Sequence, residues 1–224
     1  MPHVLSFSGM GPGLTPKVYR ATTEKLEKKF PGTFEFLGSP FAGAGFSFPL
    51  VLTEEENCLD TTSRLILCWY RMNEFNCKKL LPALARGKII VVNRYGLDAF
   101  IYSRSMCVEK DVCDEIEAAH HALVRLRVLA KKIPPPRYIV PWVGPKTIGL
   151  ITPEWIKGIK ALKGVDAEGL RSYIQREQEV IEAYCDPEKG QKRPWKINAG
   201  LTVEEMGDAA VEMISHRIER LNDD

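Results

Sequence analysis

A three-layer α/β/α domain on a parallel sheet is predicted by three features of the sequence. Short β-branched stretches alternate with longer amphipathic ones along the chain, the pattern of strands joined by helical crossovers. The run Lys88-Ile89-Ile90-Val91-Val92 is apolar on both faces, as a strand covered from both sides must be. The chain also opens with a strand, a glycine-rich turn, a helix and a second strand, the usual start of such a sheet. Five strands are expected, within a single domain spanning residues 1–224.

Taken in order, residues 3–8 form the first strand, followed by the turn Gly9-Met10-Gly11-Pro12-Gly13. A helix then runs to about Phe30, with Tyr19, Thr22, Leu26 and Phe30 on its buried side, and Pro31-Gly32 stops it. Thr33 to Leu37 reads as the second strand. Residues 38–52 hold five Gly or Pro and read as an irregular loop, after which a Thr53-x-x-Glu56 capping box starts a short helix.

Residues 61–95 read as one long helix running into a buried strand that ends in Asn-Arg-Tyr. Leu65, Cys68, Met72 and Phe75 recur at spacings of three and four and face a core, and Arg64, Leu67, Arg71 and Glu74 form the neighbouring stripe. Gly87 supplies the left-handed residue that ends the helix. Arg94 falls just past the carboxyl end of the strand, the rim where open α/β sheets bind ligands.

Beyond Tyr102, Val112, Ile116, Ala119, Leu123, Leu126 and Ala130 define an amphipathic helix that Pro134-Pro135-Pro136 breaks. Arg137 to Val143 is the fourth strand. Thr152-Pro153 opens a helix, and Asp166 caps another with Leu170, Tyr173, Glu177, Ile181 and Tyr184 on one stripe. Trp195 to Asn198 is the last strand. The capping box Thr202-x-x-Glu205 begins a terminal helix with Val203, Met206, Ala210, Met213 and Ile218 inward.

Composition excludes several classes. A 224-residue chain with 45% hydrophobic and 27% charged residues is an ordinary globular sequence. A net charge of +2 and no long run of Lys and Arg argue against nucleic-acid or membrane partners, and leave nucleotides open. The six cysteines include no CxxC pair and several fall in helices, which points to a reducing compartment, and no apolar stretch is long enough to cross a bilayer. A cytoplasmic protein is expected. His120 and His121 are adjacent on a helix, pointing about 100° apart, and cannot share a metal. No dedicated metal site is read from the chain.

A helix with a central Arg71, then Pro82 to Gly87, the strand Ile89 to Val92, Asn93-Arg94-Tyr95, and Ile101-Tyr102 resembles the middle of a thymidylate kinase. The resemblance implies a P-loop-kinase-like fold and a nucleoside monophosphate kinase. Such an enzyme transfers the γ-phosphoryl group of ATP, with Mg2+, to a nucleoside monophosphate, and the family likeness implies a homodimer. Arg71 and Arg94 would grip the acceptor phosphate, with Leu67 where a stacking aromatic is expected and Tyr102-Ser103 where the family has Tyr-Gln. Asn93 replaces the Asp that helps to organise magnesium. Gly38-Ser39-Pro40 replaces the family's Arg-Glu-Pro.

A phosphate-binding loop needs inward N–H groups, a Lys for the phosphates and a hydroxyl for magnesium. Counting the motif from Gly9 puts Leu14 at the last glycine, Thr15 at the lysine and Pro16 at the hydroxyl; counting from Gly11 puts Pro16, Lys17 and Val18 there. Neither register satisfies it, so two readings stand. Gly9, Gly11, Gly13, Thr15 and Lys17 hold the donor phosphates with Lys17 as a displaced substitute, or the segment is only a tight strand-to-helix turn. Residues 144–166 stand where the family has its lid, with Lys146, Lys157, Lys160 and Lys163 in place of arginines; a solvated basic helix face is the other reading and the one favoured. Catalysis by Arg94, Lys17 and Asn93 is one functional expectation. A lapsed homologue serving as a nucleotide-binding or interaction module is the other, and Leu67 and Ser103 raise a third, a kinase for a different acceptor.

Overall fold

The computed structural model describes residues 3–9, 11–40, 61–105, 118, 133, 136–144, 167–185 and 193–222. Within them lie strands β1 (Val4–Phe7), β2 (Phe34–Leu37), β3 (Ile89–Asn93), β4 (Arg137–Trp142) and β5 (Trp195–Asn198). The helices are α1 (Gly11–Lys29), α2 (Thr61–Phe75), α3 (Leu81–Ala85), α4 (Gly96–Ser105), α5 (Ala167–Tyr184) and α6 (Val203–Asn222). The strands form one five-stranded parallel sheet in the order β2-β3-β1-β4-β5, flanked by helices in the three-layer arrangement of a P-loop-like fold. β1 lies at the centre, with Phe7 opposite Asn93 of β3 on one side and Ile139 of β4 on the other. From β1 the chain travels outward to β2, returns through β3, and crosses to β4 on the far side. The carboxyl ends of these central strands therefore meet at a topological switch point.

Strand periodicity assigns the layers. Leu5 and Phe7, Val91, Ile139 and Ile197 point to one face, where they are buried with Val18 and Leu26 of α1 and Met206, Ala210 and Ile214 of α6. Val4, Ile90 and Val92 point to the other and meet Cys68, Trp69, Met72 and Phe75 of α2 with Leu80, Ala83 and Leu84. Tyr138 and Val140 face α4 and α5, packing on Leu97, Ile101 and Ile181. Each fully buried Leu, Ile or Phe in these clusters contributes about 1.5–3 kcal/mol through removal of its side chain from water.

Two helices differ from the sequence reading. The expected single helix over the central stretch is broken by a π-helical turn at Asn76–Leu80, where the Leu81 N–H bonds the Asn76 carbonyl. Pro82 accounts for it: the ring has no N–H to give the Lys78 carbonyl and crowds it, so the preceding turn widens. Gly87 (φ 73°) ends α3 in the left-handed conformation its position predicts. At the other end of the chain, α1 already begins at Gly11, so Gly11, Pro12 and Gly13 belong to the helix and not to a wide glycine loop. The Thr202–Glu205 capping box is formed in both directions, with Thr202 N–H donating to Glu205 Oε2 at 2.8 Å and Glu205 N–H to Thr202 Oγ1 at 3.3 Å. The helix starting near residue 112, the Thr53 capping box, His120, His121 and the lid lysines lie outside the described residues. Among the described residues no helix is long and apolar enough to cross a membrane.

Candidate functional site

β1 leaves the sheet at Phe7, and Ser8 and Gly9 carry the chain over its rim. The Ser8 N–H still bonds the Ile139 carbonyl at 3.0 Å, so the turn starts from a fixed point beside β4. Gly9 adopts φ 78°, and a β-carbon there would lie 3.0 Å from Glu177 Oε1 and 3.1 Å from both Ile181 Cδ1 and Val140 Cγ1. Only glycine meets both demands. Thr15, buried in the second turn of α1, donates its hydroxyl to the Gly9 carbonyl.

One strand away, Arg94 N–H donates to the Phe7 carbonyl at 2.8 Å, extending the β3–β1 ladder by one residue. Arg94 then turns with φ 66°; among the described residues it is the sole non-glycine at positive φ. That conformation costs about 1–3 kcal/mol and persists where surrounding contacts fix it. The contact here is Asp98, in the first turn of α4. Its carboxylate accepts from Arg94 Nη1 at 3.2 Å, from Gly9 N–H at 3.2 Å and from Tyr95 N–H at 3.0 Å, and the Ser8 hydroxyl also bonds it. Ser8 Oγ in turn lies 3.1 Å from Ser6 Oγ. Arg94 and Asp98 are 5% and 1% exposed, so this is an interior charge pair. Burial pushes the Asp98 carboxyl above its ordinary range, opposed in turn by the Arg94 charge, the Ser8 hydroxyl and the two backbone N–H groups.

The other predicted residues divide between the layers. Arg71 lies half-buried on α2. The Cys68 thiol, pushed up first by burial, is raised further by Asp98 and lowered by Arg71, so both charges stand in its neighbourhood. Arg71 and Arg94 are thus on the same side of the sheet. Leu67 packs against the apolar cluster of α2 and β3. Asn93 has the strand parity of Val91, toward α1, and its buried Oδ1 has no hydrogen-bond partner among the described groups. Lys17 is exposed on α1, and Gly11 and Gly13 lie in that helix's first turns. Tyr102 and Ser103 belong to α4, with side chains outside the description.

Sequence reasoning gave two acids, Asp98 and Glu177, no place in the site. Asp98 stands three residues after Tyr95 and bonds back to its N–H, the reciprocal half of a capping box, which is a local signal. Its bonds to Arg94 and Gly9 are not local, and no spacing announces them. Glu177 is a carboxylate on an otherwise apolar stripe, 4% exposed beside Gly9. Among the described residues no cluster of three or more His, Cys, Asp or Glu forms a metal site. Guanidinium, hydroxyl and backbone donors, the groups that suit an oxyanion, converge at the β1–β3 rim on the Asp98 carboxylate. No protein-family model matches the chain, and a search of curated proteins finds no match to it.

Proposed function

We propose that the chain is a thymidylate kinase-like nucleotide-binding protein that takes the phosphate of a nucleoside monophosphate at the β1–β3 rim. The reaction proposed for it is transfer of the γ-phosphoryl group from ATP, with Mg2+, to that phosphate. The observation that carries this reading is Arg94, held beside the glycine turn at the carboxyl end of a covered central strand, on the same side of the sheet as Arg71. Two guanidiniums suit a phosphate dianion because each offers a planar fork of donors. The donor side fits less well. Lys17 is exposed, Asn93 brings no charge to magnesium, and Thr15 is engaged with the Gly9 carbonyl. Losing one preorganised charge costs about two to three orders of magnitude in rate, and two are missing here.

A second reading, a catalytically lapsed homologue kept as a nucleotide-binding or dimerising module, is favoured by the Asp98 carboxylate occupying both the Gly9 N–H and Arg94. A cytoplasmic homodimer fits both readings. Purified protein with ATP, Mg2+ and dTMP, assayed for ADP release and by calorimetry, separates them. Turnover that Arg71→Ala or Arg94→Lys lowers by about tenfold or more supports the enzyme, since Lys keeps the charge beside Asp98 and loses the fork. Binding of dTMP without turnover supports the module. A folded protein that neither binds nor turns over dTMP or any other nucleoside monophosphate ends the nucleotide reading, and a thermal-shift panel of nucleoside monophosphates reads base preference at Leu67.

A further inference from the structure

Four donors converge on one carboxylate at the place where an anionic ligand is expected. Gly9 N–H, Tyr95 N–H, the Ser8 hydroxyl and Arg94 Nη1 come from the ends of two adjacent strands, and Asp98 reaches them all from the start of α4. A phosphate or sulfate oxygen makes the same set of bonds with such groups. We propose that Asp98 is an autoinhibitory occupant of this seat, a tethered carboxylate that an incoming oxyanion must displace before it can bind Arg94 and the glycine turn. The inference rests on the anion-binding part of the function proposed above and adds its regulation.

The physical argument concerns charge and tether. With Asp98 ionised, the pair with Arg94 is neutral, and a dianion brought to the rim meets a fixed like charge 3.2 Å from the guanidinium it seeks. A side chain anchored on the same fold also competes at an effective concentration of about millimolar or higher, which no dilute ligand matches. The apparent affinity for an oxyanion is therefore the intrinsic one reduced by the small fraction of molecules with the seat open. Removing the charge while keeping the shape raises that fraction.

The groups around Asp98 determine how the test is built. Arg94 faces it from the end of β3, Ser8 and Gly9 from β1, Cys68 and Arg71 from α2, and Glu177 from α5 across Gly9; Tyr138 of β4 stands beside Gly96. Burial keeps Cys68 and Tyr138 protonated far above neutral pH, so Asp98 and Glu177 are the acids to separate.

Sulfate is the probe, because it stays dianionic across the range used. Calorimetry with sodium sulfate and, separately, dTMP is run on the full chain, Asp98→Asn, Asp98→Ser and Glu177→Gln in steps from pH 7 down toward pH 4, with circular dichroism reporting the fold. Asp98→Asn and Asp98→Ser are expected to bind sulfate about tenfold or more tightly than the unaltered protein at pH 7. Acidification should strengthen sulfate binding in the unaltered protein and in Glu177→Gln, and leave Asp98→Asn unchanged. Equal or weaker sulfate binding by the folded Asp98 variants, no binding by any form, or a flat pH response overturns the proposal. Should both Asp98 variants fail to fold, the pH series with Glu177→Gln decides alone. Binding of dTMP that ignores Asp98 sinks this inference and keeps the nucleotide reading; tighter sulfate with no dTMP binding does the reverse.

Discussion

Both faces of the central sheet are covered by apolar layers, and they differ at the rim. Toward α1 and α6, Phe7, Val91 and Ile139 meet an apolar layer led by Val18, Leu26, Met206 and Ile214. Toward α2, Val4, Ile90 and Val92 meet a second apolar layer led by Cys68, Met72 and Phe75, but at its rim Ser6, Ser8 and Arg94 from the strand ends join Asp98 of α4 in a buried, bonded chain. An apolar layer depends on volume and pattern, and many side chains fill it nearly as well. A buried polar group depends on its named partner, and loss of that partner leaves an uncompensated charge or donor. The two apolar layers therefore specify the fold, and the polar chain specifies one rim of it.

The sharpest break of this contrast is Arg94→Met. It strands the Asp98 carboxylate in the interior and should lower the urea-denaturation stability by about 3–5 kcal/mol. Arg94→Met combined with Asp98→Leu should recover much of that loss, a coupling that double-mutant analysis of the same denaturation curves reads directly. In the apolar layer toward α1 and α6, Leu26→Ala should cost about 3 kcal/mol, from lost burial plus the residual cavity, with no such coupling to Asp98. Gly9→Ala should cost about 2 kcal/mol by thermal or urea unfolding, because its β-carbon meets Glu177 and its backbone is left-handed. Thr202→Ala, remote from both faces' interiors, removes the cap of α6 and should cost about 1 kcal/mol.

The smallest effect is a pH slope. Asp98 has its folded pKa raised above the ordinary value of 3.8, so the folded state binds more protons than the unfolded one between those two values. Its contribution to stability accordingly falls as pH rises from 3.8 through the folded pKa, the reverse of a surface carboxylate in an ion pair. Urea midpoints of the unaltered protein compared with Asp98→Asn across that window should show a slope in the first that is missing from the second.

The fold was legible because strands and helices write their burial locally. Ile89 to Val92 could be nothing but a covered strand, and Thr202 with Glu205 marked the start of α6 within four residues. The π-helical turn was hidden because Pro82 reads equally as a helix stop or a helix start, and the widening falls upstream of it. The extent of the glycine turn was hidden too, since Gly11-Pro12-Gly13 suggests a loop and yet Pro12 sits well in the opening turn of a helix. At the candidate site, Arg94 could be placed from strand direction alone. Asp98 could not, because its partner Gly9 lies 89 residues away along the chain.

The bond from the Tyr95 hydroxyl to Asn76 Oδ1, at 2.6 Å, joins the π-helical turn to the residue after Arg94. Five residues before Asn76 on the same run of helix is Arg71. The two arginines are thereby linked through neighbouring contacts, this bond and the Phe75–Tyr95 ring pair among them, so that a slide of the helix along its axis is felt at the β3 rim. Tyr95→Phe keeps the ring contact and removes only the hydrogen bond, so the share of that one bond in tying the helix to the rim is separable from the packing around it.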